Sequence, residues 1–373
     1  MRKIGILTYH FADNFGAVLQ CYALKEVISE YEEVEIIDYK PEYINNMHKV
    51  IVNPFKIKNL TVYNKFKLLV KHILPLNIYR TTVKKMNFMK FRKKELPLSE
   101  KTFKNAESFI KKIEDYRCIV VGSDQVWNPE LQGEIDKMYF LNFGKKYVKR
   151  VSYAASIGKP EVSEKYLNDF IKSINKFDAI SVREERSERF ISKIVENKVE
   201  VTLDPTLLLD KSRWVSISEP ADIKQEYILV YDLENTNDIT EIVNELSNKL
   251  KLPVVTYSNK NIYHNKVESF SNYGPAKFLG LFKDASYVVT NSFHGTVFSV
   301  IFEKKFITIP HTTRGNRMED FLYKLNLEGR IVKEKNDLES VNYKDNINFS
   351  IPNKILECEK EKSLSYLKKS LEI

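Results

Sequence analysis

The chain has 373 residues, 43% hydrophobic and 29% charged, with a formal charge of +9; this suits two domains or one large one, with ample surface to bury. Cys21, Cys118 and Cys358 lie far apart without CxxC spacing, so neither a disulfide framework nor a zinc site is expected, and a reducing cytoplasm fits best. The basic-then-apolar opening of residues 1–8 is too short for a signal peptide, and no apolar run approaches a membrane span.

In chain order, residues 3–9 read as a buried strand that runs into His10-Phe11-Ala12-Asp13-Asn14-Phe15-Gly16 and a helix over 17–28. A second strand at 35–39 completes a βαβ unit. Its first turn holds Asn14 and Gly16 but is not GxGxxG, so a dinucleotide fingerprint is absent. Two readings are open: both residues meet ligand, or Asn14 only caps the helix and Gly16 only lets the chain turn.

The charge is unevenly placed. Residues 44–104 carry fifteen Lys/Arg against two acids, Glu95 and Glu100, so this segment is +13 and the remainder −4. Apolar residues (Phe66, Leu68, Leu69, Val70, Ile73, Leu74, then Phe88, Met89, Phe91) recur among the lysines, which predicts amphipathic helices broken near Pro75. One reading is a membrane-surface patch for anionic lipid. Nucleic acid is the other polyanion, but no recognition motif accompanies the charge. The bland reading is a helical excursion packed on the first domain with its lysines in water.

Further strands are expected at 118–123, 150–155, 179–182 and 199–203. Each runs into polar or glycine residues: Asp124-Gln125-Val126-Trp127-Asn128, Ser156-Ile157-Gly158, Arg183-Glu184 and Asp204-Pro205. Helical stretches at 164–177 and 185–194 separate three of them, the mark of a mostly parallel sheet with helices on its faces. Residues 207–225 look like a linker. A second unit follows with strands at 227–231, 254–257, 287–289 and 306–309, and helices at 239–250, 275–283 and 318–325. A charged last helix spans 354–371.

Residues 287–301 form a strand, a turn and a helix, with His294 and Gly295 at the turn. Ligands of open α/β sheets gather at the carboxyl ends of strands, where helix N-termini offer N–H groups. A histidine there can exchange a proton with substrate near neutrality; alternatively it only caps its helix or bonds within the core. Arg314 and Arg317, flanking Gly315 before a helix, could hold an anion, or pair with Glu319 and Asp320.

These segments together resemble the polysaccharide pyruvyl transferase family. The pieces that carry the resemblance are Gly5–Tyr9 with Asn14–Gln20, Val121–Asn128, Tyr153–Gly158, Ser181–Ser187, Leu203–Thr206, Thr290–Thr296 and the Arg314–Arg317 turn, in family order over nearly the whole chain. The resemblance implies an α/β fold of two facing Rossmann-like domains with mostly parallel sheets, GT-B-like. The domains expected are 1–206 (acceptor side, with the basic excursion 44–104), a 207–225 linker and 226–352 (donor side), with the helix of 353–373 returning toward the first.

It further implies transfer of a pyruvyl group from phosphoenolpyruvate to a sugar hydroxyl, as a ketal on a cell-surface or capsule glycan or its lipid-linked precursor. Phosphoenolpyruvate is then the donor substrate, with no cofactor, no metal and no nucleic acid. The expected place is the cytoplasm, with peripheral contact at the membrane through 44–104. His294 falls on the family's functional histidine, as general acid, with Arg183 as its catalytic partner and donor ligand. Ser292, Gly295, Thr296, Arg314, Asn316 and Arg317 complete the donor set. Asn14, Gly16, Gln20, Ser123, Asp124, Gln125, Trp127 and Ser156 form the acceptor set. Many members have Arg-Leu-His where this chain has Ser292-Phe293-His294. That departure keeps two rivals in view: a glycosyltransferase using a nucleotide sugar on the same scaffold, and a non-catalytic glycan- or membrane-binding protein.

Overall fold

A computed structural model describes residues 2–41, 43, 75–143, 148–234, 236–257, 263–310 and 316–373, without the side chains of 75–78, 237 and 316. The basic stretch 44–74 therefore lies outside the described residues, as does Arg314. Two compact units emerge: Met1–Leu208 with Lys362–Ile373, and Leu209–Glu361.

The first unit is built on β1 (Lys3–Leu7), β2 (Val34–Ile36), β3 (Tyr116–Asp124), β4 (Lys149–Ala155), β5 (Ile180–Val182) and β6 (Val199–Val201), in the order β2-β1-β3-β4-β5-β6. Every pairing between these strands is parallel. Such strands are covered on both faces, which is why Cys118-Ile119-Val120-Val121 is apolar without alternation. The chain goes from β1 to β2 on one side and to β3 on the other. The switch point thus lies between β1 and β3, where open sheets of this kind bind ligands at the carboxyl ends. Gly122 lets β3 and β4 approach closely: its φ is +153°, and a Cβ there would sit 1.9 Å from the Tyr153 carbonyl oxygen.

Helix α1 (Phe15–Ser29) follows β1, capped by Asn14 Oδ1 accepting from Ala17 N at 3.2 Å. It is buried nearly all round because α2 (Pro75–Glu95) covers its outer side. Phe88 packs 5.1 Å from Phe15 and Phe91 lies edge-on to Tyr22 at 6.0 Å. Helix α2 begins at Pro75, where the break between helices is expected, since proline is well suited to a helix's first turn; the stretch before it lies outside the described residues. Helices α3 (Glu164–Ile174) and α4 (Glu185–Ile191) follow β4 and β5.

The second unit holds β7 (Ile228–Tyr231), β8 (Val254–Thr256), β9 (Lys266–Ser269), β10 (Tyr287–Thr290) and β11 (Lys305–Thr308), all parallel, in the order β11-β10-β7-β8-β9. Its switch point lies between β7 and β10. Its helices are α5 (Lys211–Ser216), α6 (Asn237–Leu250), α7 (Pro275–Asp284), α8 (Phe293–Ile301) and α9 (Asn316–Lys324). The expected linker is thus partly α5, whose Trp214 is wholly buried and edge-on to Phe298 at 5.2 Å. Burial of that size is worth about 3–5 kcal/mol against alanine, so the stretch is core of this unit.

Helix α10 (Ser350–Leu371) contributes to each unit in turn. Asn353 donates to Glu303 in the second unit. In the first, Ser363 Oγ accepts from Leu203 N at 3.0 Å, Tyr366 donates to the Ser152 carbonyl at 2.9 Å, and Leu367 and Leu371 are buried. No helix among the described residues is long and apolar enough to cross a membrane.

Candidate active site

In the second unit the site grows from the carboxyl ends of β7 and β10. Asn291 clamps the two: its Nδ2 donates to Asp232 Oδ1 at 2.6 Å, and its Oδ1 accepts from Leu233 N at 2.8 Å. Thr290 Oγ1 donates to the Tyr231 carbonyl and accepts from Ser292 N. The turn is therefore fixed from two strands before α8 begins.

Ser292 caps α8 by accepting from Gly295 N at 3.4 Å. Gly295 is required because a Cβ there would fall 2.2 Å from Thr290 Oγ1. Thr296 Oγ1 donates to the Ser292 carbonyl and pairs with Thr308 Oγ1 at 2.9 Å. Ser292, Gly295 and Thr296, expected among the donor-binding residues, are buried parts of the turn's frame.

His294 lies in the first turn of α8, half-buried, 5.3 Å from the Phe293 ring and edge-on to it. The Arg317 guanidinium stands over the Phe293 ring, 5.9 Å from its centre. Phe321 packs on the same ring at 5.9 Å. Because α9 starts at Asn316, Arg317 belongs to its first turn. One phenyl ring thus brings a histidine and an arginine from two helix N-termini together, an arrangement suited to anions and to proton transfer.

In the first unit, the expected acceptor residues surround the switch point, but several are committed elsewhere. Gln20 is wholly buried, donating to Thr8 Oγ1 and the Ala17 carbonyl while accepting from Ser123 N. It ties α1 to β1 and β3. Trp127, expected to contact acceptor, is wholly buried instead; its Nε1 donates to the Tyr139 carbonyl at 3.0 Å and its ring stacks near Phe140. Gly16 is buried within α1.

Arg183 is the largest correction. Its Nη1 donates to Asp204 Oδ2 at 2.9 Å and its Nε to Glu184 Oε1 at 3.1 Å, with the side chain only 4% exposed. Burial opposes the guanidinium charge, but Glu184, Asp204 and Asp124 together hold it protonated. Two carboxylates already balance it, so Arg183 organises its surroundings rather than offering a charge to a donor. Ser123 Oγ donates to Asp204 at 3.3 Å and Ser156 Oγ to Glu184 at 3.0 Å, so both serines belong to the same network.

Asn14 is exposed and Asp124 half-exposed. Asp124 holds a left-handed backbone, φ +75°, which non-glycine residues adopt sparingly and often at functional positions. Gln125 Oε1 accepts from Asn128 Nδ2 at 2.8 Å. A glycine at 158 is needed beside them, since a Cβ there would meet both side chains within 2.5 Å.

One buried pair was not anticipated. His10 is wholly buried, with Nε2 2.8 Å from Asp38 Oδ1 and Nδ1 3.1 Å from the Thr8 carbonyl oxygen. Burial works against the Asp38 charge, but hydrogen bonds from His10, Lys40 and Thr102 outweigh it and hold the carboxyl below its ordinary range. The available signal was topological: adjacent parallel β1 and β2 bring residues just past their carboxyl ends together.

A surface cavity in the second unit, lined by Ser247, Asn248, Lys251, Asn265 and Lys266, opens beside the amino ends of β8 and β9 and contains none of the expected site residues.

The family model of polysaccharide pyruvyl transferase matches residues 14–313. No curated protein matches the sequence. Among solved structures, UDP-GlcNAc 2-epimerase from Neisseria meningitidis bound to UDP-GlcNAc is similar with a TM-score of 0.53 at 13% identity, over 99% of this chain and 100% of that one. The S. aureus MnaA-UDP co-structure has a TM-score of 0.50 at 11% identity, over 100% and 97%. At these identities the likeness is one of fold: two parallel α/β sheets.

Proposed function

The chain belongs to the polysaccharide pyruvyl transferase family and is a transferase; from that premise we propose that it moves the pyruvyl group of phosphoenolpyruvate onto hydroxyls of a sugar and releases phosphate. The observation that supports this best is His294 at the switch point of the second sheet, joined to Arg317 through Phe293.

Phosphoenolpyruvate carries a phosphate and a carboxylate on an enol ether whose methylene carbon must be protonated. In this reading His294 gives its proton to that carbon. The cation formed at C2 stays flanked by two anions, which Arg317 and the N-terminus of α8 hold in place. A sugar hydroxyl adds at C2 and its proton restores the His294 imidazolium; the bond from C2 to the phosphate oxygen breaks with its electron pair leaving on phosphate, and a second hydroxyl of the same sugar adds at C2 to close the ketal, its proton going to the departing phosphate. Asn14, Asp124 and Gln125 of the first unit are the residues we expect to contact acceptor. A cell-surface glycan or its lipid-linked precursor is the acceptor class, and a cytoplasmic enzyme working at the membrane's inner face follows from the latter.

The test is phosphate release from phosphoenolpyruvate, with extracted lipid-linked glycan as acceptor, by the wild type, His294→Ala and His294→Gln. A general acid contributes about 10²–10⁴-fold, so both variants lose rate on that scale; a Gln variant near wild type removes His294 from the acid role. The rival nucleotide-sugar donor is favoured by Ser292, which stands where many family members carry arginine. Bound ligand raises thermal stability by mass action, so a midpoint shift with UDP and none with phosphoenolpyruvate transfers the assignment to that rival.

A further inference from the structure

Helix α2 has two faces with different fates. The inner one is occupied: Phe88 and Phe91 pack on α1, Lys84 lies over the Phe15 and Phe88 rings, and Arg92 Nη2 donates to Asp13 Oδ1 at 2.9 Å. On the outer side Tyr79 is 63% exposed, Met86 61% and Met89 52%, beside the exposed Lys90, Lys93 and Lys94. Spacings of three, four and seven residues place these side chains on one face. Over its whole length α2 has seven basic residues and one acid, Glu95, which sits 3.0 Å from Lys94.

Large exposed apolar side chains are ordinary when scattered; three of them along one helix among lysines are a patch. We infer that this outer face of α2 docks on an anionic lipid bilayer. Methionine and tyrosine enter the boundary between headgroups and acyl chains while the lysines meet the lipid charge. A nucleic acid would engage the lysines but has no use for the methionines. The inner face gives the docking a consequence. Arg92 also donates to the Ala12 carbonyl at 3.4 Å, so the helix that meets the bilayer is bonded to the loop following β1. Resting on the proposed glycan acceptor, this brings Asn14, at the end of that loop, toward a sugar carried on lipid.

The experiment is co-sedimentation of the full chain with vesicles of phosphatidylcholine alone or with phosphatidylglycerol, in low and high salt. Binding is expected only to the anionic vesicles and is lost in salt. Each lysine near a charged surface contributes about a fivefold change in partition, so Lys90→Gln/Lys93→Gln loses roughly 25-fold. Met86→Ser/Met89→Ser loses binding by a similar factor. Both variants keep the wild-type thermal midpoint, because neither touches the inner face. Wild-type binding by either pair, or equal binding to neutral vesicles, overturns the inference. Lysine-dependent, methionine-independent retention on duplex DNA overturns it in favour of a polyanion partner. Neither donor nor acceptor is present, so the result is independent of the pyruvyl transfer test.

Discussion

Asp204→Asn probes the network that redefines Arg183. The carboxylate is 1% exposed and serves four donors: Arg183 Nη1 at 2.9 Å and Ser123 Oγ at 3.3 Å on Oδ2, Thr206 N at 3.1 Å and Thr206 Oγ1 at 2.7 Å on Oδ1. Asparagine preserves the shape, and its amide oxygen can keep the Thr206 bonds. Its NH₂ group then faces Arg183 and Ser123, donor against donor. Removing one partner of a buried ion pair costs about 3–5 kcal/mol. Glu184 still neutralises Arg183 from Nε, which sets the expectation at about 3 kcal/mol. A unit of about 200 residues loses about 2–4 °C per kcal/mol, so the calorimetric midpoint of the first unit falls by about 6–12 °C. Adding Arg183→Met removes the stranded charge and restores most of that loss, since replacing both partners of such a pair is often close to neutral. A single variant within about 1 kcal/mol of wild type, or a double variant as unstable as the sum of its parts, refutes the claim that Arg183 is committed to these carboxylates.

Two further outcomes are expected. Asp38 has a depressed pKa when folded, so the stability it adds is full above the ordinary carboxyl range, begins to fade below about 4 and is lost only as pH falls through the lower folded value; the midpoint deficit of Asp38→Asn is therefore full at pH 7 and shrinks in acid, while a gap constant from pH 7 to 3 rejects the account. Gly122→Ala places a Cβ 1.9 Å from the Tyr153 carbonyl at a φ of +153°; it is expected to cost more than about 4 kcal/mol or prevent soluble accumulation, and a soluble variant melting like wild type would mean that β3 and β4 can separate freely.

Most strands were legible because parallel strands buried on both faces leave uninterrupted apolar runs, as at 118–121 and 287–289. Strand β9 escaped for the opposite reason: Lys266-Val267-Glu268-Ser269 sits at the sheet edge with its first three residues exposed, so no apolar pattern is required of it. The residues near each switch point could be named from their places after strands. Their roles could not. Trp127 and Gln20 stand beside ligand-facing positions in sequence, yet both turn inward, because an indole needs core volume and an amide bridging three elements needs burial. Arg183 reads as an anion ligand until Asp204, twenty-one residues away, is placed against it. The His10–Asp38 pair likewise exists only once β1 and β2 lie side by side.

The route of the chain also orders its assembly. Residues Leu209–Glu361 form a unit interrupting the other, whose closing piece, Lys362–Ile373, is made after it. On the ribosome the second sheet can therefore be complete while the first still lacks the helix that supplies Leu367, Leu371 and the Ser363 hydroxyl bonded to Leu203. The unit begun first is finished second, and until then the side of its sheet near Ser152 and Leu203 lacks the contacts that Tyr366 and Ser363 supply.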